Sequence, residues 1–370
     1  MQRRTFLSRG ACLAGALAAP GLNAQTATPP KAEPLVREYM QQFGVPGLAL
    51  TFARGDRVLY TGCFGNADRP SRQPVRPDSL FRIASNSKAF TAAAVLLLAE
   101  AGRLKLTDRP LAPDGLLREY ASLGRPQNWL HAITIHELLT HTGGGWANDD
   151  NDPMFEQPRL DQDQLIRWTL QTHALSAAPG QKYAYSNFGY CLLGRVIEHA
   201  SGQRYAAFVR ERVMRAPRIA DMRIGAKEPA PNEVRYCGQG GEDAYGFNVA
   251  RMDSHGGWIA TSQDMARFLA ALFAPQDGDG APGIVSAQSL RTMTTGTHAN
   301  KSYGCGLELN PEGNAWHNGS LPGTMSIMVH TKSGMSWAVV VNTRSKSDAA
   351  FSRLDSMMWQ IAQSVPQWRA

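Results

Sequence analysis

The chain has 370 residues, of which 43% are hydrophobic and 19% charged, with a formal net charge of +7. This length allows one large domain or two medium ones with an ample hydrophobic core, and the composition excludes extensive disorder beyond the N-terminus. The mild charge, the lack of a basic cluster with interleaved aromatic residues, and the lack of a later apolar run long enough to span a bilayer argue against nucleic-acid binding and a membrane span.

The N-terminal residues 1–24 have the features of an export signal. MQRRTFLSRG carries three arginines, an apolar stretch follows, and small residues before Gln25 are typical of a cleavage site. The segment RRTFL resembles the twin-arginine export signature, which a receptor reads and which does not anchor the chain. Pro20 and Gly21 argue against a first core helix. We therefore expect an exported, periplasmic protein with a flexible polar leader over residues 25–33.

The first elements after this leader are a helix and a hairpin. Residues 34–43 predict a short amphipathic helix, and residues 47–65 form two β-rich runs around an Arg-Gly-Asp turn. The middle of the chain then changes to the 3.6-residue period of helices joined by Gly-, Pro- and Asp-rich loops. The predicted helices are 86–101, 134–140, 161–172, 188–200, 205–213 and 262–274.

The C-terminal end mirrors the N-terminal end. Residues 323–344 predict a second hairpin, and a last helix is expected at about 348–364. Strands at both ends imply an α/β (α+β) fold with one antiparallel sheet built from the two chain ends and an inserted helical lobe, with any catalytic cleft between them. We expect a single catalytic domain over 34–365, with its sheet region at about 34–84 and 285–365 and its helical lobe at about 85–284.

Ser85 and Lys88 are the first candidates for chemistry. They lie three residues apart at the mouth of an otherwise apolar predicted helix, so their side chains share a face, and the helix N-terminus favours developing negative charge. Serine is a poor nucleophile until a base removes its proton. Lysine serves as that base if burial and nearby cations lower its pKa from about 10.4. Ser-x-x-Lys alone is weak evidence, because the pattern is common.

Two later stretches supply further candidates. Tyr185 and Asn187 lie two apart in an extended turn before a helix, where a phenol can relay protons and an amide can orient a substrate or the lysine. His317 and Gly319 lie where the last strands begin, and glycine there lets a substrate backbone approach the strand edge. The backbone N–H of Ser320 would then join that of the candidate nucleophile in an oxyanion hole.

Each motif alone is weak evidence, but their order along the chain is strong evidence of a known pattern. From about residue 34 to 365 the chain resembles the serine β-lactamase and penicillin-recognising family, with matching stretches such as ITIHELLTHTGG, PGQKYAYSNFGY, GGWIATSQDMARFL and HNGSLPG. Class C β-lactamases, D-amino-acid-specific peptidases and family VIII esterases are the most similar branches, because the second motif is Tyr-Ser-Asn. The resemblance implies the same sheet with a helical lobe that the residue pattern predicts.

The resemblance also implies a role for each matching residue. Ser85 would be the acylated nucleophile, Lys88 the base or proton shuttle, and Tyr185 a second base that activates the serine or the deacylating water. The N–H groups of Ser85 and Ser320 would form the oxyanion hole. Substrate contacts are implied for Asn187, His317 and Gly319. The implied chemistry needs no metal and no cofactor.

The third motif departs from the family pattern. Many β-lactamases carry Lys-Thr/Ser-Gly there, so that a cation and a hydroxyl meet the carboxylate of the drug, whereas this chain has His-Asn-Gly. A histidine with a pKa of about 6.5 is mostly neutral at pH 7, so the permanent charge is missing. We therefore expect weak or absent β-lactam hydrolysis, with a peptide, an amide or an ester as the proper substrate.

Other sequence features are weaker evidence for function. HELLTH is not a zinc motif, because its histidines are five residues apart and H-E-x-x-H needs four. His255 is more easily explained by packing than by a place in the cleft. The loops at roughly 143–160 and 225–257 are expected to select the substrate and match no motif. Whether disulfides form among the four cysteines after the export signal is left open: Cys63, Cys191, Cys237 and Cys305.

The sequence thus predicts an exported serine hydrolase that works through an acyl-enzyme on a small-molecule or peptide substrate. Two substrate classes stay open, namely amides or peptides with D-configured or cell-wall-like groups, and small carboxylic esters. The alternative is a non-catalytic relative that binds wall peptides or acts as a scaffold. The presence of Ser85, Lys88 and Tyr185 together favours the enzyme, because a pseudoenzyme would be expected to lose one. The oligomeric state is left open.

Overall fold

The computed structural model describes residues 28–123, 129–274 and 283–368. The predicted export signal at 1–24 lies outside these residues, as does the start of the predicted leader. The first helix, α1 (Ala32–Phe43), begins two residues earlier than the sequence predicted, so the end of the 25–33 segment is helical. The physical reason is that Ala32 is fully buried and packs in the same apolar cluster as Val36.

The strands follow the two chain ends. In chain order they are β1 (Gly47–Arg54), β2 (Arg57–Asp68), β3 (Gln73–Pro74), β4 (Phe81–Arg82), β5 (Arg223–Ile224), β6 (Trp258–Ala260), β7 (Glu308–Leu309), β8 (Ala315–Leu321), β9 (Thr324–His330) and β10 (Met335–Val341). Within the described residues, seven of them form one antiparallel sheet in the order β3-β2-β1-β10-β9-β8-β7, and three form a small sheet in the order β4-β6-β5. The pairing of β1 with β10 confirms that the chain ends build the main sheet.

Most helices lie in the middle of the chain, and one helix lies near each end. After α1 they are α2 (Ser87–Glu100), α3 (Ile135–Leu139), α4 (Pro153–Glu156), α5 (Gln162–Thr172), α6 (Asn187–Ser201), α7 (Tyr205–Arg212), α8 (Ser262–Leu272), α9 (Ala287–Met293) and α10 (Ala349–Gln363). The predicted helices are all present, whereas the short helices α4 and α9 were missed. Helices long and apolar enough to cross a membrane are absent from the described part of the chain.

Side-chain caps explain why the helix starts were predictable. Thr134, Asp161 and Thr261 each begin a helix with a capping box, in which the cap side chain and the side chain three residues later satisfy each other's backbone N–H groups. The start of α2 differs, because a 3₁₀ turn over Ala84–Asn86 precedes it and no side chain caps it. The chain therefore enters α2 through a separate turn that carries Ser85.

Two hydrophobic cores lie on opposite faces of the main sheet. Helices α1 and α10 cover one face with an aliphatic and aromatic cluster that includes Trp337 and Met358. On the other face, α8 packs against β1 and β10, and α2 lies behind it. The rings of Phe90 on α2 and Phe268 on α8 stack with centroids 3.7 Å apart. Through this contact, the helix that follows Ser85 is fixed to the sheet.

Replacing Phe268 with alanine should therefore weaken the link between lobe and sheet. Phe268 is fully buried, and truncating such a ring to alanine costs about 3–5 kcal/mol of unfolding free energy. Urea unfolding of the Phe268→Ala variant measures this loss. Phe155→Ala is the matched control, because that ring is 41% exposed, and its expected change is within about 0.5 kcal/mol. Equal losses in the two variants would contradict the assigned packing.

Candidate active site

Ser85 lies in the 3₁₀ turn between β4 and α2, at the junction of the sheet and the helical lobe. The preceding residue, Ala84, has a left-handed backbone with φ of 48°, a conformation that costs energy for any residue with a Cβ. Its side chain is buried in a small apolar cluster with Met252 and Leu321, which offsets that cost. The side chain of Ser85 remains half-buried while both neighbours are buried.

A buried amide and a glycine brace this turn. The Asn86 side chain donates from Nδ2 to Ile83 O at 3.0 Å and to Ser326 Oγ at 2.7 Å, and Ser326 donates to the same carbonyl at 2.8 Å. Gly319 of β8 faces this point, where an added Cβ would lie 2.2 Å from Ile83 O. Gly319 is therefore required by the close approach of β8 to the turn, a role that the sequence analysis did not assign to it.

Lys88 is buried beneath Ser85 and makes three hydrogen bonds. Its Nζ lies 3.2 Å from Ser85 Oγ, 2.7 Å from Asn187 Oδ1 and 2.9 Å from His255 O. Burial lowers the pKa of Lys88 to about 7, against a smaller opposing effect of the Asp152 carboxylate. Neither Asn187 Oδ1 nor a backbone carbonyl can donate, so the two N–H groups of a neutral amine point at them and its lone pair faces Ser85.

Asp152 is a site residue that the sequence analysis missed. It is 3% exposed, and its Oδ2 accepts from Asn187 Nδ2 at 2.7 Å, so the amide of Asn187 turns its oxygen towards Lys88. Its Oδ1 accepts from the N–H of Met154, and burial raises the pKa of the carboxyl above its usual value. The available signal was Asp followed by Pro153, a typical helix start, which indicates a cap and not a catalytic neighbour.

Tyr185 approaches Ser85 from the α6 side. Its hydroxyl is near enough to the Ser85 side chain to affect the pKa of Tyr185, and Lys88 Nζ lies 4.8 Å from the centre of the Tyr185 ring. Burial raises the pKa of Tyr185 far above its ordinary value, so the side chain is a neutral phenol near pH 7. The predicted residues Ser85, Lys88, Tyr185 and Asn187 therefore lie together.

His317 lies at the same site but is turned inward. It is 1% exposed, its Nε2 lies 3.1 Å from the hydroxyl of Tyr303, and its Nδ1 lies 2.6 Å from Asn318 O. Burial and the charge of Lys88 lower the pKa of His317 to about 3. Both ring nitrogens thus have protein partners, and Tyr303 is a second residue that the sequence analysis missed.

The outer edge of β8 faces the Ser85 turn. β7 pairs with β8 only at Ala315 and Trp316, so within the described residues β8 has no strand neighbour on that side beyond Trp316. Leu321 and Thr324 close a two-residue turn, and hydrogen-bonded and non-hydrogen-bonded pairs alternate along an antiparallel ladder. Ser320 therefore directs its N–H away from β9, towards this open edge.

His255 and the four cysteines have structural positions and take no direct part in the site's chemistry. His255 contributes its backbone carbonyl to Lys88, and its ring is buried. Cys63, Cys191, Cys237 and Cys305 are free thiols, so no disulfide forms among the described residues. Burial raises the pKa of Cys191 and Cys305 to about 12, which leaves both as unreactive thiols.

Because the Asp152 carboxylate opposes the lowering of the Lys88 pKa, removing its charge should move that pKa to lower pH. Titration of the Lys88 side chain by ¹³C NMR in the Asp152→Asn variant measures the change. The control is Asp150→Asn, since Asp150 is exposed and should leave the titration where it is in the wild type. A Lys88 pKa that rises or stays unchanged in Asp152→Asn contradicts the assigned electrostatics.

The contact between β8 and the Ser85 turn predicts the effect of adding one methyl group. Gly319→Ala should lower the free energy of unfolding by about 1–3 kcal/mol, because the new Cβ overlaps the backbone oxygen of Ile83 and the Ser326 and Asn86 side chains that are hydrogen-bonded to it. Gly143→Ala serves for comparison, because a Cβ there meets its nearest side chains at an ordinary 3.7 Å. Urea unfolding of both variants tests this, and an unaffected Gly319→Ala protein would refute it.

Comparison with known proteins places this arrangement in a family. The Beta-lactamase family profile matches residues 32–357. Penicillin-binding protein 4* of Bacillus subtilis is 28% identical over 75% of this chain, which covers 63% of that protein, less than two thirds of its length. Esterase EstB of Burkholderia gladioli is 34% identical over 51% of this chain and 50% of its own.

A solved structure supports the fold. The D-amino acid amidase of Ochrobactrum anthropi superposes with a TM-score of 0.72 at 23% identity, over 90% of this chain and 98% of that chain. At this identity the likeness concerns the fold alone. It agrees with the sheet and helical lobe described above. The family profile matches most of the chain and therefore shows the family as well. The chain belongs to the Beta-lactamase family.

Proposed function

We propose that this protein is a serine hydrolase that forms an acyl-enzyme on Ser85. The observation that carries the proposal is the arrangement of Lys88, whose two acceptor partners leave the lone pair of a neutral amine facing the serine hydroxyl. A pKa of about 7 leaves a large fraction of that amine neutral at physiological pH. A solvated lysine would be almost fully protonated there.

In the proposed acylation, Lys88 takes the Ser85 proton while Oγ bonds to the substrate carbonyl carbon. The carbonyl π electrons move to its oxygen, which the N–H groups of Ser85 and Ser320 hold. On collapse, the bond to the leaving amine or alcohol breaks, and the leaving group takes the Tyr185 hydroxyl proton. Lys88 then returns its proton to Tyr185. Water repeats these steps on the acyl-enzyme and restores Ser85.

This scheme divides two roles that the sequence left open between Lys88 and Tyr185. Lys88 is the base of acylation, because its pKa lies near neutrality, whereas burial keeps the Tyr185 phenol protonated. Tyr185 is then the proton donor to the leaving group. Asn187 orients the amine of Lys88 with its Oδ1, while its Nδ2 donates to Asp152.

For the substrate, we propose an uncharged amide, a peptide with a D-configured residue, or a small carboxylic ester, with β-lactams poorly hydrolysed. The third motif supports this, because a buried neutral His317 offers no cation to the carboxylate that β-lactams carry. EstB is named as an esterase and the Ochrobactrum protein as a D-amino acid amidase, so both reaction classes occur on this fold. The basic and apolar N-terminal segment supports export to the periplasm.

A fluorophosphonate probe followed by intact-protein mass spectrometry tests the nucleophile. The wild-type protein should gain one adduct, and Ser85→Ala should gain none. Ser87→Ala is the matched control, because Ser87 lies two residues away with a fully buried hydroxyl and should leave labelling intact. A wild-type protein that stays unlabelled would favour the non-catalytic binding protein. Turnover of p-nitrophenyl esters, D-alanyl peptides and nitrocefin then identifies the substrate class.

The rate of acylation should fall as the pH falls through about 7, because only the neutral form of Lys88 accepts the serine proton. One unit below this pKa roughly a tenth of the amine is neutral, so the rate at pH 6 should be about tenfold below its plateau. Stopped-flow labelling across pH 5–9 measures this. A rate that is flat from pH 5 to 8 would assign the base to another group.

A further inference from the structure

A buried chain of hydrogen bonds runs beside Tyr185 and plays no part in the acylation scheme. The N–H of Ser186 donates to His141 Nδ1 at 3.0 Å, and His141 Nε2 lies 3.1 Å from the Tyr303 hydroxyl. The same hydroxyl lies 3.1 Å from His317 Nε2. Four segments are thereby joined: the residue before α6, the loop after α3, the loop before β7, and β8.

The partners determine where each proton lies. His141 Nδ1 accepts from a backbone N–H, so the neutral ring carries its proton on Nε2 and donates it to Tyr303. His317 Nδ1 faces a backbone carbonyl, so it must carry the proton of that ring. Its Nε2 is then an acceptor, and the Tyr303 hydroxyl is the donor it has among the described residues.

Tyr190 also lies near Tyr303, and its hydroxyl is not an alternative donor to His317. Its hydroxyl donates to Leu139 O at 2.7 Å, so it has no further proton to give to His317. The chain therefore runs in one direction, from His141 through Tyr303 to His317, and every member is uncharged. Both histidine rings are 1% exposed.

We propose that Tyr303 is a positioning residue that fixes His141 and His317 as neutral rings of opposite tautomer and thereby keeps the substrate-facing strand without positive charge. The part of this inference that concerns substrate charge rests on the proposed function. The tautomers follow from the hydrogen-bond geometry alone. Tyr303 touches neither Ser85 nor Lys88 through a hydrogen bond in the described residues, so it acts through the two histidines.

The electrostatic surroundings support a neutral chain. The titratable groups that face it come from α2, the segment before α6, α6 itself and β7, and they are Lys88, Tyr183, Tyr185, Tyr190 and Glu308. Burial and, to a smaller extent, the charge of Lys88 lower the pKa values of His141 and His317. Without the Tyr303 hydroxyl, His317 Nε2 would lose the donor that favours the neutral ring, so the pKa of His317 would rise, although burial and the charge of Lys88 would still oppose protonation.

The first experiment is ¹⁵N NMR of the histidine rings in the intact wild-type protein, which needs no substrate. His317 should carry its proton on Nδ1 and His141 on Nε2, and neither ring should titrate between pH 5 and 8. A proton on Nε2 of His317, or a titration of either ring in this range, overturns the proposal. Because this readout is independent of turnover, it stands even if no substrate is found.

The second experiment replaces the hydroxyl alone. In Tyr303→Phe, the pKa of His317 should rise above its wild-type value, because the neutral ring loses the donor that favours it. The kcat/KM for a neutral p-nitrophenyl ester should fall about tenfold, the effect of losing one buried hydrogen bond. Below pH 6, the ratio of kcat/KM for an anionic p-nitrophenyl hemisuccinate to that for the neutral ester should rise several-fold over wild type.

Tyr183→Phe is the matched control, because its ring lies 5.8 Å from that of Tyr303 and its hydroxyl is outside the chain. It should leave the histidine spectra and the substrate ratio unchanged. Adding His317→Gln to Tyr303→Phe should abolish the rise at low pH. If Tyr303→Phe lowers activity without raising the pKa of His317 and without changing the ratio, its role is merely structural and the proposal fails. Failure of Ser85 labelling would instead refute the proposed function.

Discussion

The site depends on burying one ammonium group without giving it a carboxylate as a direct partner. Lys88 is fully buried, and its protein partners are a hydroxyl, an amide oxygen and a backbone carbonyl. Desolvation then favours the neutral amine, since a charge in the interior is poorly compensated by dipoles alone. Asp152 stands one residue further away, behind the Asn187 amide, where it orients the amide and moderates the shift without pairing with the lysine.

The fold was predictable because short-range sequence patterns determine most of its strands and helices. Hairpin turns and alternating strands at both ends, together with capping boxes such as that of Thr261, predict the sheet and the helical middle, and the sheet of both chain ends is confirmed. The short helices α4 and α9 have too few residues to show a period. The start of α1 was misplaced, because burial of Ala32 is a tertiary effect.

The motif residues of the site were predictable from the sequence, whereas the residues that orient them were not. Ser-x-x-Lys and Tyr-Ser-Asn identify side chains that the structure brings together at Ser85. Asp152 and Tyr303 lie far from these motifs in sequence, and their places follow only from the way loops pack across the cleft. Likewise, the sequence suggests a neutral His317 from its ordinary pKa, but not that both its nitrogens are occupied.

In the third motif, Gly319 and His317 determine different properties of the site. The lack of a side chain at Gly319 allows β8 to approach the Ser85 turn closely, whereas the charge of the motif is determined by His317, two residues earlier. Under the proposed function, the charge that the motif offers to a substrate and the placement of Ser85 are therefore set by different residues.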